Sequence, residues 1–444
     1  MAEAGLDERL VAAVRAGNAE EVRRLLEAGA APDTADEDGL PLLCAAIAAY
    51  DAEVAEELAM GGADPNRLLP DGSTPLLRAI EGGSPAVVSA TLAHDPGPRL
   101  RGPAGDRALA AARSWYERSR AATGERTRVP DDEFTYVDEL VLDGRTVRAG
   151  HGAILTELEW GLGILTPVEE LADRAVRYPD WEHVDWSSSV WVLASLRRSK
   201  ETWTEVAALR RHPDPDHRRF AAHVLWSLTL LEDGKVPSYE AETSDLLARW
   251  ATEETDARVL AAVLRAWSAE HDHPDMVATG LRYTGHPDAE VRAAVPDCVD
   301  GTPLAPEARA ALLGLVRDAD AGVRGAAGAV LGGHLDGSPD VRQALVRLAR
   351  DPDEGVRWMA AERLSEGDDH APEVADALAG LLDEEFQLVR IIAAYGLMRH
   401  DDPRTPDAYA RIGPLEAGYE DDHRWCALGN WGWERRNGSA GTEE

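Results

Sequence analysis

The chain has 444 residues, enough for one to three domains with a sizeable core. It carries 81 acidic against 46 basic residues, a net charge of −35, which argues against a nucleic-acid partner because a phosphate backbone needs a positive surface. A basic protein or peptide is the more natural partner for such a field, although high solubility alone would also account for it.

The cysteine spacing and the lengths of the apolar runs indicate the cellular compartment. Cys44, Cys298 and Cys426 lie far apart, so a disulfide framework is not expected. The first residues lack a basic, apolar signal sequence, and no run approaches the length of a membrane span. We therefore expect a cytoplasmic protein that is a monomer and does not bind membranes.

A repeat with a period of 33 residues occupies residues 6–94. GAAPD at 29–33 recurs as GADPN at 62–66, and DGLPLLCAA at 38–46 recurs as DGSTPLLRAI at 71–80. These motifs resemble the ankyrin repeat, and the resemblance implies about three copies of a helical pair, enough for a short stable stack. Leu43 and Leu77 depart from the family, which has a histidine at that position.

Helix-start signals agree with this reading. Thr74 followed by Pro75 is typical of a cap and a first-turn proline, and Asn18 with Glu21 forms a capping-box-like pair. An alanine-rich helix from about Asp106 to Arg120 is predicted to cap the stack. We assign residues 1–122 to the ankyrin-repeat domain.

The next segment contains the strongest strand signal. Residues 121–133 have linker composition, and two β-prone runs then flank Asp143-Gly144, a dipeptide that favours a type I′ hairpin. We assign 123–149 to a linker with one β-hairpin. Three helices at about 151–162, 167–177 and 187–198 follow, and 150–199 is predicted to form an irregular helical cap on the second half.

A second repeat begins near residue 200. An arginine recurs at spacings of 32 to 40 residues, usually with a small residue three positions later and an acid four positions earlier. The recurring arginines are Arg218, Arg258, Arg292, Arg324, Arg357, Arg390 and Arg424. A fixed period near 33 with this content predicts a solenoid of helical hairpins. The acid is expected at the start of a helix, and the arginine is expected to pair with acids of its own or the adjacent repeat.

These repeats resemble the HEAT repeat of the bacterial phycobilin-lyase-like type. VRGAAGAVL (323–331), VRWMAAERL (356–364) and VRIIAAYGL (389–397) carry the resemblance. It implies a HEAT-repeat domain over 200–434, followed by a disordered tail at 435–444. The fold class is therefore all-α, with two helical-hairpin solenoids and a small β-hairpin between them.

Catalytic chemistry finds little support in the sequence. Histidines cluster with aspartates at 212–217, 271–274, 368–370 and 421–423, where they suit turns and caps better than metal ligands. Deoxyhypusine hydroxylase, a di-iron enzyme on the same repeat, needs His-Glu dipeptides, and none occurs here. We predict no catalytic residue, no metal site and no cofactor. A HEAT-repeat enzyme or metal-binding protein using the turn histidines and acids remains the alternative.

The favoured function is a non-catalytic scaffold that binds a partner protein or peptide on concave repeat surfaces. In HEAT stacks the second helix of each hairpin lines the concave side, which places the residue after each arginine, and the one four further on, in the groove. These positions give the predicted site Trp358, Glu362, Ile391, Tyr395 and Trp425. Aromatic anchors beside an acid are typical of binding hot spots. Seven tryptophans lie between Trp181 and Trp267. The sequence does not decide whether they belong to the core or form a ligand-binding surface.

Overall fold

The computed structural model describes residues 2–37, 39–94, 99–230, 239–269, 273–335 and 338–438. The chain divides into two compact units, 1–236 and 237–444. Both are built from paired helices, and the first also contains a small antiparallel sheet. The predicted all-α repeat architecture is confirmed.

The first unit begins with three helical pairs, which form the predicted stack. Their bounds are α1 Ala2–Arg15, α2 Ala19–Glu27, α3 Leu42–Ala48, α4 Ala52–Met60, α5 Pro75–Gly82 and α6 Pro85–Thr91. Asn18 and Thr74 cap α2 and α5, accepting hydrogen bonds from the backbone N–H of Glu21 (2.9 Å) and Leu77 (3.2 Å). Each cap satisfies a donor that the first turn would leave unpaired, so both predicted helix starts are confirmed.

Two more helices complete the core of this stack. They are α7, Pro103–Ala121, and α8, His151–Gly161. Ala108 and Ala112 of α7 and Ile154 and Leu158 of α8 are buried in the same hydrophobic cluster as the three helical pairs. The predicted capping helix is thus present. The segment beyond the predicted linker packs into the ankyrin core as well.

The sheet has three strands in the order β1-β2-β3, where β1 is Thr127–Pro130, β2 Tyr136–Leu142 and β3 Arg145–Arg148. The β2–β3 hairpin turns at Asp143 (φ 49°) and Gly144 (φ 79°), the two positive φ values of the predicted type I′ turn. The stretch of linker composition at 121–133 contains β1, whose Val129 pairs with Val137 of β2. This four-residue edge strand was not predicted, because its sequence is charged and contains a proline.

Four further helices complete the first unit: α9 Val168–Ala175, α10 Val184–Trp191, α11 Lys200–Ala208 and α12 Pro215–Leu230. A π-helical segment, Val192–Leu196, continues α10, and a 3₁₀ turn, Leu209–Arg211, precedes α12. The helix that carries Arg218 therefore belongs to the first unit, which ends at Val236, although the sequence grouped it with the repeats after residue 200.

Within its described residues, the second unit consists of six consecutive helical pairs. Their bounds are α13 Glu240–Glu253, α14 Ala257–Ser268, α15 Met276–Arg282, α16 Ala289–Val299, α17 Pro306–Leu315, α18 Ala321–Gly332, α19 Pro339–Leu348, α20 Glu354–Glu366, α21 Pro372–Gly380, α22 Gln387–Arg399, α23 Thr405–Ile412 and α24 His423–Gly438. The second helices, from α14 to α24, contact one another in succession, and the first helices of neighbouring pairs also contact one another from α13 to α21. This arrangement is a solenoid whose repeats contact their nearest neighbours.

Apolar residues at helical spacing close the core between the two layers. Val356, Ala360 and Leu364 of α20, predicted to form one buried stripe, are at most 3% exposed. Asp320 and Asp353 begin α18 and α20, accepting hydrogen bonds from the N–H groups of Val323 (3.1 Å) and Val356 (3.0 Å). The expected role of the acid four positions before the arginine is thereby confirmed at these repeats.

The last helix changes the predicted C-terminal boundary. α24 continues to Gly438, so the first residues of the predicted disordered tail at 435–444 are helical. The remainder, 439–444, lies outside the described residues.

Candidate functional site

An arginine ladder fixes the second helices of the second unit relative to one another. We use this name for Arg292, Arg324 and Arg357 with their partners. Each arginine donates two hydrogen bonds of 2.6–2.8 Å to a single carboxylate in the turn of the next hairpin. The partners are Asp318, Asp351 and Glu384.

Each ladder arginine also binds its own turn. Nη1 of Arg324 donates to the backbone oxygens of Asp318 and Ala319, both at 3.0 Å, and Arg292 and Arg357 repeat the pattern. The expected pairing between repeats is thus confirmed. The acid involved lies six positions before the next arginine, whereas the acid four positions before it caps the helix.

After Glu384 the connection between hairpins at the ladder position no longer uses an arginine–carboxylate pair within the described residues. Arg390 donates to the backbone oxygens of Glu384 and Glu385 and, at 3.3 Å, to that of Ile412 in the next hairpin. Gln387, which is 1% exposed, adds further bonds to that hairpin. The Gln387 amide donates to the oxygen of Pro414 at 2.7 Å and accepts from the N–H of Glu416 at 2.8 Å. The amide supplies a donor and an acceptor where the earlier repeats use an ion pair.

Two of the predicted site residues, Trp358 and Glu362, lie four residues apart on α20 and therefore share a helix face. Trp358 is 42% exposed. The Glu362 carboxylate pairs with Arg424, the second residue of α24, which also binds Asp422. The hydrogen bonds that it donates to the carboxylates of Asp422 and Glu362 raise the pKa of the Arg424 guanidinium, so this arginine stays charged.

The other aromatic residues of the predicted site are half-buried beside this ion pair. The Tyr395 ring meets His423 edge-on with centroids 6.0 Å apart, and His423 directly precedes Arg424. Trp425 stacks on Tyr409 of α23 at 5.5 Å and an interplanar angle of 16°. Tyr395 contacts His423, and the next residue, Arg424, pairs with Glu362 on the helix that carries Trp358. Sequence reasoning missed Tyr409, because its register on the first helix of the pair gave no signal.

Ile391 does not belong to this surface. It is fully buried, contrary to the prediction that it lines the groove. The helix α22 packs against the helix that follows it, α23, more extensively than α18 and α20 pack against the helices that follow them. An aliphatic side chain at the position equivalent to Trp358 therefore fills the core.

The second helix of the preceding pair, α18, has small side chains on the corresponding face. Ala321, Gly325 and Ala329 of α18 are half-buried, and a Cβ added at Gly325 would meet only Val356, at 3.8 Å. Ala289 and Ala293 continue this lane on α16. We call these five residues the small-residue lane. On α20, Trp358 occupies the position equivalent to Gly325 and carries a large side chain there.

Three histidines in the turns between helices stabilise those turns. His212, His273 and His286 each precede Pro-Asp, and their Nδ1 atoms accept the backbone N–H of that aspartate at 3.1–3.2 Å. Such bonds stabilise the turn before a helix. Nowhere in the described ranges do three or more His, Cys, Asp or Glu side chains gather as a metal ion would require.

The tryptophans between 181 and 267 serve several purposes. Trp186, Trp250 and Trp267 are at most 3% exposed and belong to the core. Trp181 and Trp191 are more than half exposed. The cluster is therefore neither wholly core nor one continuous surface feature. Among the described residues, no helix combines the length and apolarity that crossing a bilayer requires.

Comparisons with known proteins identify both repeat types. The family model for ankyrin repeats in three copies matches residues 10–101, and the model for HEAT repeats matches 308–398. A search of curated proteins found no match. The narrower expectation of a phycobilin-lyase-like type stays a prediction.

Solved structures were compared as well. The Escherichia coli protein YibA is 18% identical over 61% of this chain and 95% of its own, with a TM-score of 0.43. An archaeal HEAT-like repeat protein from Thermococcus onnurineus is 14% identical over 56% of this chain and 99% of its own, with a TM-score of 0.35. Neither TM-score is high enough to add to the family matches. Residues 10–101 of this chain are ankyrin repeats, and residues 308–398 are HEAT repeats.

Proposed function

We propose that this protein is a non-catalytic scaffold that holds a partner protein or peptide on the second-helix face of its second unit. The observation that carries the proposal is Trp358, a tryptophan 42% exposed in the middle of a regular helix. Exposed aromatic residues flanked by polar groups are enriched in the centres of protein interfaces.

The surroundings of Trp358 support this assignment. The ladder ties α20 to the helices on both sides, through Arg324–Asp351 before it and Arg357–Glu384 after it. The Glu362–Arg424 pair adds a connection to α24. A surface held in this way loses little conformational entropy when a partner binds. Ankyrin and HEAT repeats are both architectures that present extended binding surfaces.

The alternative of an enzyme or metal-binding protein would rely on the turn histidines and acids. His212, His273 and His286 use Nδ1 to accept backbone hydrogen bonds, and Asp320 and Asp353 cap helices. These groups already have roles in the fold, which favours the scaffold over the alternative.

The test is affinity capture from the host that makes the protein, followed by identification of the bound proteins. Full-length wild type is compared with Trp358→Ala and Tyr395→Ala, and with Trp181→Ala as a control that removes an exposed tryptophan from the first unit. We expect the two site variants to lose a partner that the control retains, with unchanged circular dichroism. Retention of every partner by both site variants would refute this surface.

A further inference from the structure

A stripe of acid, aromatic and acid runs along α20. Glu354, Trp358 and Glu362 follow one another at intervals of four residues, so their side chains lie on one face. Glu354 is exposed, and within the described part of the chain it forms no ion pair. The tryptophan thus lies between two carboxylates, one open to solvent and one already paired. Sequence reasoning missed Glu354, although its spacing from Trp358 was available.

The paired carboxylate shows which chemistry suits this stripe. Glu362 binds the guanidinium of Arg424, which lies 62 residues further along the chain. An arginine of the protein itself therefore occupies one end of the stripe. Glu354 offers the same carboxylate chemistry at the other end, with the indole of Trp358 between them. Arginine combines carboxylate pairing with stacking on an aromatic face.

The small-residue lane provides space for a main chain beside the tryptophan. Its side chains are hydrogen or methyl, and it extends over α16 and α18, the second helices of the two preceding pairs. A Cβ at Gly325 would have no neighbour closer than 3.8 Å, so the surface over α18 is open. An extended peptide can lie close to such helices while its side chains reach Trp358.

Charge defines the class of peptide. From residue 237 onward the sequence contains 40 acidic residues, 20 arginines and no lysine. Several of those arginines, including Arg292, Arg324 and Arg357, are engaged in the ladder. Each of these pairs also uses one carboxylate, so the excess of 20 acidic residues in this part of the sequence remains, and it complements a cationic segment.

We infer that the stripe binds an extended, arginine-bearing segment of a partner protein. A partner arginine stacks on Trp358 and pairs with Glu354, and the partner main chain runs along the small-residue lane. This inference rests on the proposed function and specifies the partner chemistry of the same surface.

The experiment measures binding of fluorescein-labelled Gly-Arg-Gly-Arg-Gly-Arg-Gly to the full-length protein by fluorescence anisotropy in 150 mM NaCl. Peptides with Glu or Ser in place of Arg serve as probes of the other chemistries. The variants are Trp358→Ala, Glu354→Gln and Gly325→Leu. The matched control is Glu307→Gln, which removes an exposed charge from the first-helix layer at α17.

We expect Trp358→Ala to weaken binding of the arginine peptide by about tenfold or more, and Glu354→Gln by about threefold or more. Gly325→Leu should weaken it by blocking the lane, and Glu307→Gln should stay within about twofold of wild type. Equal losses in Glu354→Gln and Glu307→Gln would show attraction by diffuse charge only and would overturn the inference. Binding of the Glu or Ser peptide as tightly as the Arg peptide would also overturn it.

The peptide-binding experiment and the affinity-capture experiment test different claims, so one can fail while the other succeeds. If a partner is captured through Trp358 but the arginine peptide does not compete for it, the inference fails and the proposed function stands. If capture does not depend on Trp358, the proposed surface itself fails.

Discussion

Arg357 donates from Nε and Nη2 to the two carboxylate oxygens of Glu384, both at 2.8 Å, across 27 residues of sequence. Its Nη1 donates to the backbone oxygens of Asp351 and Pro352 at 2.8 and 3.1 Å. One guanidinium therefore joins the turn that precedes its own helix to the turn of the next hairpin. Few side chains can do this, because the task needs several donors in a rigid plane.

The first prediction concerns this arginine. Arg357→Ala should lower the free energy of unfolding by about 2–3 kcal/mol, since it leaves the Glu384 carboxylate and two backbone oxygens without their charged donor. Arg350→Ala is the control, because Arg350 is exposed and has no ion pair within the described residues. It should cost about 0.5 kcal/mol or less. Urea denaturation followed by circular dichroism measures both, and equal midpoints would contradict the role of the ladder.

The second prediction compares two helical glycines. Gly325→Ala should raise the free energy of unfolding by up to about 1 kcal/mol, because alanine has the higher helix propensity and the new methyl group meets only Val356. Gly396→Ala on α22 should lower it by about 1–3 kcal/mol, because its Cβ would lie 3.0 Å from the Cα of Ser365 and 2.8 Å from Leu378. Thermal unfolding distinguishes the two. A stabilised Gly396→Ala variant would mean that α20 and α22 are not in close contact.

The third prediction is a pH dependence in the first unit. Asp185 is 1% exposed and accepts the N–H of Ala153 at 2.7 Å, yet burial raises the pKa of its carboxyl group to about 7. The folded protein thus binds this proton more tightly than the unfolded chain. The stability that the group contributes is complete below a pH of about 4 and is lost as the pH rises through 7.

Asp185→Asn keeps an oxygen for the Ala153 bond and cannot ionise. We expect its stability relative to wild type to increase by at least about 1 kcal/mol between pH 5 and pH 8. Melting temperatures at four or five pH values provide the measurement. Asp138→Asn is a control, because it makes the same substitution at a half-buried carboxylate on β2. Parallel curves for Asp185→Asn and wild type would refute the prediction.

The fourth prediction concerns modularity. A fragment of residues 239–438 should fold, because the stability of a solenoid is a sum of contacts between neighbouring repeats. A fragment beginning near residue 150 should be less soluble, since Ile154, Leu155 and Leu158 would lose α6 and α7 as their core partners. Circular dichroism and size-exclusion chromatography test both. A well-folded, monomeric fragment from residue 150 would show that α8 does not need the ankyrin core.

Local sequence rules predicted the features that depend on neighbouring residues. Thr74, Asn18 and Asp353 could be identified as caps because a cap and the backbone N–H from which it accepts lie within one turn. The Asp143-Gly144 turn was predictable for the same reason. The ladder was predictable as a pattern, although the partner acid of each arginine was not, because two acids precede each helix start.

Features that depend on distant packing were not predictable. Ile391 and Trp358 occupy equivalent positions in their repeats, and the neighbours of α22 bury the first residue while the second stays exposed. The buried Arg174 with Glu159, and the buried Asp185, likewise arise from contacts between helices that no periodicity reveals. The four residues of β1 gain their strand conformation from β2.

Because of the spacing of the ladder, each hairpin of this region could be duplicated without disturbing the ion pairs on either side of it. Every such hairpin begins with an acid that receives an arginine and, six positions later, supplies an arginine to the next acid, so its two ends are chemically alike. The segment from Asp318 to Arg350 carries both ends, with Asp318 accepting from Arg292 and Arg324 donating to Asp351. Duplicating that segment in tandem would lengthen the array by one hairpin and one ion pair without creating an unmatched junction. A natural or engineered member with a longer array could therefore arise by copying one stretch of coding sequence.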